Sequence, residues 1–185
     1  MKRFAFTCLL ASISIAVAAQ EQKAHLLADN YKDAATGQTV RHTYWQVLER
    51  ANLRYGTRIL YRFSKKGDQY ALQLKVSRGG NAFVVARSAP LELLLEGGRI
   101  LTLYNSRYTQ SYRGGGARYE PRSDAEGLML TFPIPDEYLP VLTHEYVDML
   151  RLHANDQGFM QSDVTGPHSE LFMDELLLVM GRGGW

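Results

Sequence analysis

The chain reads as an α+β domain, in which a mainly antiparallel β-meander sheet is partly covered by a short helix and a C-terminal helix. Three stretches predict this. Residues 91–104 hold two apolar runs that meet at Gly97-Gly98. Residues 58–76 alternate apolar and polar side chains around Lys65-Lys66-Gly67-Asp68, and residues 170–180 carry helically spaced apolar residues that stop at Gly181.

The first stretch sets a register. A Gly-Gly pair supplies the positive φ angles of a two-residue hairpin turn. Glu96 then faces Arg99, Leu95 faces Ile100, Leu94 faces Leu101, Leu93 faces Thr102 and Leu91 faces Tyr104. The period of two puts Leu91, Leu93, Leu95, Ile100, Thr102 and Tyr104 on the core face. The Glu96–Arg99 pair supports this register, because opposite charges directly across a hairpin contribute roughly 0.2–1 kcal/mol.

The chain opens as a secretory signal peptide. Lys2 and Arg3 form the basic segment, Phe4 to Ile15 the apolar segment, and Ala16-Val17-Ala18-Ala19 the small-residue cleavage site. Residues 1–19 are thus read as the signal and 20–185 as one domain, periplasmic or secreted. The apolar run is short of the roughly 20 residues a spanning helix needs, so no transmembrane segment is expected after cleavage. The single cysteine, Cys8, lies inside the apolar segment. The mature chain therefore has no disulfide and no thiol nucleophile, and its stability must come from its core.

Without Lys2 and Arg3 the mature chain is formally neutral, with 19 basic and 19 acidic residues. The charge is unevenly spread. Residues 41–122 hold 15 basic and 5 acidic residues, and residues 123–185 hold 2 basic and 11 acidic. An acidic C-terminal third packed on a basic β part is the economical reading, since scattered charges on strand faces are usual. The sharper reading is a basic surface kept for an anionic partner. Neutrality gives no reason to expect nucleic acid.

In chain order, residues 20–30 are polar and read as loose. Residues 31–38 read as a turn entering a strand that runs from Thr39 to about Trp45, and a short helix is allowed beyond it. In the Arg58–Val76 hairpin a four-residue loop sets Phe63 opposite Tyr70, Tyr61 opposite Leu72 and Ile59 opposite Leu74. Arg58, Arg62, Gln73 and Lys75 go to the other face. A short strand is expected at residues 82–86. From Asn105 to Glu126 no apolar run remains, and strand character returns at 127–133 with Leu128, Leu130 and Phe132 on one face. Asp136-Glu137 after Pro135 starts a short helix. Residues 147–152 suit a strand with a partner at 159–164. Ser169 caps a last helix over 170–180, whose buried side is Leu171, Phe172, Leu176, Val179 and Met180.

The Asp33–Gly37 turn, the Leu91–Leu103 hairpin, the glycine-rich loop, the Pro135–Leu142 helix start and the Val147–Leu152 strand before a final helix together resemble a group of small exported Gram-negative proteins with no assigned activity. The resemblance covers most of the mature chain and implies an α+β domain. It carries no catalytic residue across.

Few constellations suggest chemistry. There is no GxSxG elbow, and Gly114-Gly115-Gly116 lacks the Lys-Ser/Thr of a P-loop. His144-Glu145-Tyr146-Val147-Asp148 comes near a zinc-binding HExxH pattern. In a strand, however, its i and i+4 positions lie too far apart to share one metal. No metal, cofactor or catalytic residue is assigned, and His144, Glu145 and Asp148 stand only as the candidates of a hydrolase alternative. The ligand-binding candidates are Arg107, Tyr108, Tyr112, Arg113, Arg118 and Tyr119, where guanidinium groups interleave with tyrosines. Such groups suit anionic glycans or a protein hot spot. The plainer alternative is a solvated loop whose tyrosines lie back on the sheet. The expectation is an exported, non-enzymatic binding domain for an anionic ligand or an envelope protein.

Overall fold

The computed structural model describes residues 27–49, 57–79, 82–115, 126–154, 158–164 and 166–182. Residues 1–19, read above as a signal peptide, and the candidates Arg118 and Tyr119 lie outside them. The larger sheet contains β1 (Leu27–Lys32), β2 (Thr39–Thr43), β3 (Gln46–Glu49), β4 (Arg58–Lys66) and β5 (Gln69–Arg78). Downstream come β6 (Val84–Val85), β7 (Pro90–Leu95), β8 (Ile100–Tyr104), β9 (Thr109–Gln110), β10 (Tyr112–Arg113) and β11 (Glu126–Ile134). A 3-10 turn at Asp136–Tyr138 leads into α1 (Leu139–Leu142), and then follow β12 (Val147–Ala154), β13 (Gly158–Asp163) and α2 (Pro167–Met180). The larger sheet runs β1-β2-β4-β5-β11-β10, with β3 also on β4. A second sheet runs β13-β12-β7-β8, and β6 pairs with β9. All the pairings are antiparallel, and the α+β class holds.

Both larger sheets and α2 bury their apolar side chains in one core. Tyr61, Phe63, Leu72, Leu74, Leu128, Leu130 and Phe132 come from the larger sheet, and Leu91, Leu93, Leu95, Leu103, Leu150 and Leu152 from the second. Phe172 of α2 stacks edge-on to Phe63 at 4.7 Å and lies 5.1 Å from Tyr61. Residues 127–133, the short helix after Pro135 and the strand at 147–152 form as expected.

The β7–β8 hairpin departs from its expected register by one residue. Leu91 pairs with Leu103 and Leu93 with Leu101. The loop is Glu96-Gly97-Gly98, closed by Leu95 N–H donating to Arg99 O at 2.9 Å, with Gly98 at φ +78°. A one-residue slip moves a whole strand to its other face. Leu101 and Leu103 are therefore buried, while Ile100 and Tyr104 are 53% and 57% exposed. The slip puts two leucines in the core, each worth roughly 1.5–3 kcal/mol when fully buried, and keeps the Thr102 and Tyr104 hydroxyls out of that apolar layer. Arg99 consequently does not pair with Glu96. It forms an ion pair with Glu145, just before β12.

The β4–β5 hairpin shifts by two residues, which leaves the faces unchanged. Its turn is Gly67-Asp68, with Gly67 at φ +59°, so Phe63 faces Leu72 and Tyr61 faces Leu74. A glycine at positive φ permits this tighter turn and adds two ladder pairs.

Four further expectations change. Residues 27–32 are a strand, because β1 is a largely exposed sheet edge that needs no apolar alternation. Residues 46–49 are strand rather than helix. The last helix begins at Pro167 with Gly166 at its N-terminal boundary. Ser169 is buried in its first turn, where its single hydroxyl proton is shared between Val164 O and Val147 O, so it ties the helix to β12 instead of capping it. Leu171 and Met180 are only half-buried, and the fully buried side of α2 holds Glu175 among Phe172, Leu176 and Val179.

Candidate functional site

The larger sheet buries one face, so alternation leaves the other to solvent. There β1, β2, β4, β5 and β11 floor a groove of about 860 Å³, walled by Tyr31 and Asp33 on one side and by Ser106, Pro135 and Asp136 on the other. His42, Ser64, Lys66, Gln73 and Thr131 line it between those walls. Ser106 is held there by donating its N–H to Thr131 O at 2.9 Å.

The lysines lining this groove are engaged, as are the basic groups beside it. Lys66 Nζ lies 3.4 Å from Asp33, and Lys65 Nζ sits 5.0 Å from the Tyr70 ring centre. Arg62 Nε donates to Gln73 Oε1 at 2.7 Å. The Arg62 guanidinium and Lys75 ammonium also lie 4.5 and 4.2 Å from the Trp45 ring. Asp33 is held below the ordinary carboxylate range, first by the Ala35 N–H that it accepts at 2.9 Å. His42 Nδ1 is 3.1 Å from Asp29 Oδ2, yet burial, and next the charge of Arg62, lowers its pKa.

Asp29, His42 and Ser64 occupy paired positions on three neighbouring strands. Ser64 Oγ donates to Ala71 O at 3.3 Å.

Tyr108 and Tyr112 are 60% and 64% exposed, so they do not lie back on the sheet. Arg107 and Arg113 are exposed beside them. This segment is pinned rather than formless. Asn105 donates its side-chain amide to Ala86 O at 3.0 Å and also to Arg107 O. Ser111 Oγ accepts from Phe83 N–H at 2.8 Å and donates to Glu126 at 3.0 Å. None of the four described candidates lines the groove, and among the described residues of the segment Ser106 alone reaches it.

The HExxH-like stretch does not converge. His144 Nδ1 lies 2.7 Å from Pro140 O, Glu145 pairs with Arg99, and Asp148 sits in β12. Among the described residues, no three His, Asp or Glu side chains are grouped to hold a metal ion.

A second polar cluster lies under α2. Glu175 is fully buried; Gln46 Nε2 donates to its Oε1 at 2.9 Å and Thr43 Oγ1 to its Oε2 at 3.2 Å. Burial pushes its pKa up to about 8, against the downward pull of these two hydrogen bonds. The same burial, with Glu175 nearby, raises the neighbouring Tyr61 hydroxyl well above its usual range.

Sequence reasoning missed the groove as a site, although it assigned Arg62 and Gln73 to the face opposite the core. The signal was the polar side of each alternating strand, which in one strand looks the same as an ordinary solvated face. No protein-family model, curated protein or solved structure matches this chain.

Proposed function

We propose that this chain is a non-enzymatic binding domain exported to the cell envelope, with its ligand seated in the groove on the outer face of the larger sheet. The observation that carries the reading is the groove itself. Its volume of about 860 Å³ lies within the range of roughly 300–1,000 Å³ typical of ligand sites. The export reading rests on the residues 1–19 pattern. The exposed surface of Tyr104, Arg107, Tyr108, Tyr112 and Arg113 is the competing seat, and it would suit an anionic glycan or an envelope protein.

Fragment binding to the isotopically labelled mature protein separates the two seats. Small polar fragments are expected to shift the backbone amides of Ser64, Ala71, Gln73 and Thr131 together. Shifts gathered on residues 104–113 would move the ligand to the loop surface. A library that leaves the groove amides untouched would sink the groove reading.

A hydrolase is the second reading, and one observation favours it. The Asp29–His42–Ser64 order is that of an acid, a base and a nucleophile, and the lowered pKa of His42 keeps it neutral enough to accept a proton. Against it, Ser64 Oγ is hydrogen-bonded to Ala71 O.

A further inference from the structure

The chemistry of the groove narrows what it would hold. Resting on the groove being the ligand seat, we infer that its ligand is an uncharged polyhydroxylated chain, a neutral oligosaccharide. Two observations converge on this class.

The first is charge. The groove is lined by two lysines and three carboxylates, Asp33, Asp68 and Asp136. Lys66 is paired with Asp33 and Lys65 rests on the Tyr70 ring. The lowered pKa of His42 leaves it largely uncharged near neutrality. An anion entering here would meet more carboxylates than cations and would have to compete for lysines that already have partners. A neutral ligand bears neither cost. The basic excess of residues 41–122 thus does not collect in the groove.

The second is the match of polar and aromatic groups. A sugar hydroxyl both donates and accepts, so its site needs both kinds of partner. Arg62 Nε occupies Gln73 Oε1, which turns the side-chain N–H2 of Gln73 away from that guanidinium as a donor. Ser64 directs its own hydrogen to Ala71 O, leaving its oxygen lone pairs to accept. Thr131 and Ser106 add hydroxyls that do either. At the rim, Tyr31 is 53% exposed, and its flat ring offers a face to the C–H side of a pyranose. An aromatic platform beside amide and hydroxyl side chains is the complement of a ring that is apolar on its face and polar at its edge.

The test titrates the mature protein with neutral tetrasaccharides (chitotetraose, maltotetraose and cellotetraose), a heparin-derived tetrasaccharide and a neutral capped octapeptide, following groove amides by NMR. At least one neutral tetrasaccharide is expected to bind saturably with an affinity unchanged by added salt, since no net charge is being screened. Tyr31→Ala should weaken it about tenfold while Tyr31→Phe restores it, as a stacked ring face requires. Tyr31 is exposed on an edge strand, so neither change should disturb the fold. Salt-sensitive binding of the heparin fragment in the groove, or binding of the peptide there, would overturn the glycan class and leave the groove a binding site. Binding of no neutral tetrasaccharide would also overturn the class, whatever the fragment screen gives.

Discussion

Replacing Glu175 with Gln tests the polar cluster under α2 and should give a pH-dependent gain in stability. The carboxyl is fully buried, with Gln46 and Thr43 as its hydrogen-bond partners and a pKa pushed from 4.5 to about 8. Between those two values the folded chain keeps a proton that the unfolded chain has released. The unfolded state therefore binds fewer protons, and stability falls as pH rises. The slope is up to about 1.4 kcal/mol per pH unit, so the accumulated loss is about 3 kcal/mol at pH 7 and approaches about 5 kcal/mol above pH 8. Glutamine keeps the shape and the acceptor for Gln46, turns an N–H2 towards the Thr43 oxygen in place of the acceptor there, and removes the titration. Urea unfolding of wild type and Glu175→Gln should therefore give nearly equal stabilities near pH 4.5 and a variant advantage that grows towards pH 8. His42 has the opposite sign, since its lowered pKa makes its contribution to stability rise with pH. It is present in both proteins and cancels in the difference. Parallel pH profiles for the two proteins would refute the reasoning, because they would mean that Glu175 ionises in the folded chain as easily as in the unfolded one.

The hairpin register is tested by Leu103→Ala, which should cost about 2–5 kcal/mol as a core truncation, against Ile100→Ala, which should cost under about 1 kcal/mol at an exposed position. Guanidinium melts giving the reverse order would restore the register built on a Gly97-Gly98 turn. For the hydrolase reading, a fluorophosphonate probe is expected to leave the mature protein unlabelled. Labelling that disappears in Ser64→Ala would establish Ser64 as a nucleophile and displace the binding reading.

The sequence by itself was enough for the class and for most elements. Alternation in Arg58–Val76 and Leu128–Phe132 decides which side of each strand is apolar, and the β4–β5 faces survive a two-residue change of register because the side-chain period is two. Gly181, at φ +77°, ends α2 as its position after the apolar spacing implied. Where both faces of a strand could serve, the local pattern did not decide. Residues 100–104 present Leu101 and Leu103 on one side and Ile100, Thr102 and Tyr104 on the other, and the choice fell to the core they meet and to a loop one residue longer. β1 was illegible for a different reason: an edge strand with an exposed face carries no apolar rhythm. The candidate site shows the same limit. Arg107, Tyr108, Tyr112 and Arg113 stood out because aromatic and basic residues interleave there in sequence, but whether the tyrosines lie back on the sheet or face solvent was decided only by the tertiary structure. The groove gathers Tyr31, His42, Ser64, Gln73 and Thr131 from five strands, and Glu175 becomes a buried acid only because α2 lies over Thr43 and Gln46. Such neighbours are set by strand order and helix placement, which depend on how every apolar face is covered at once.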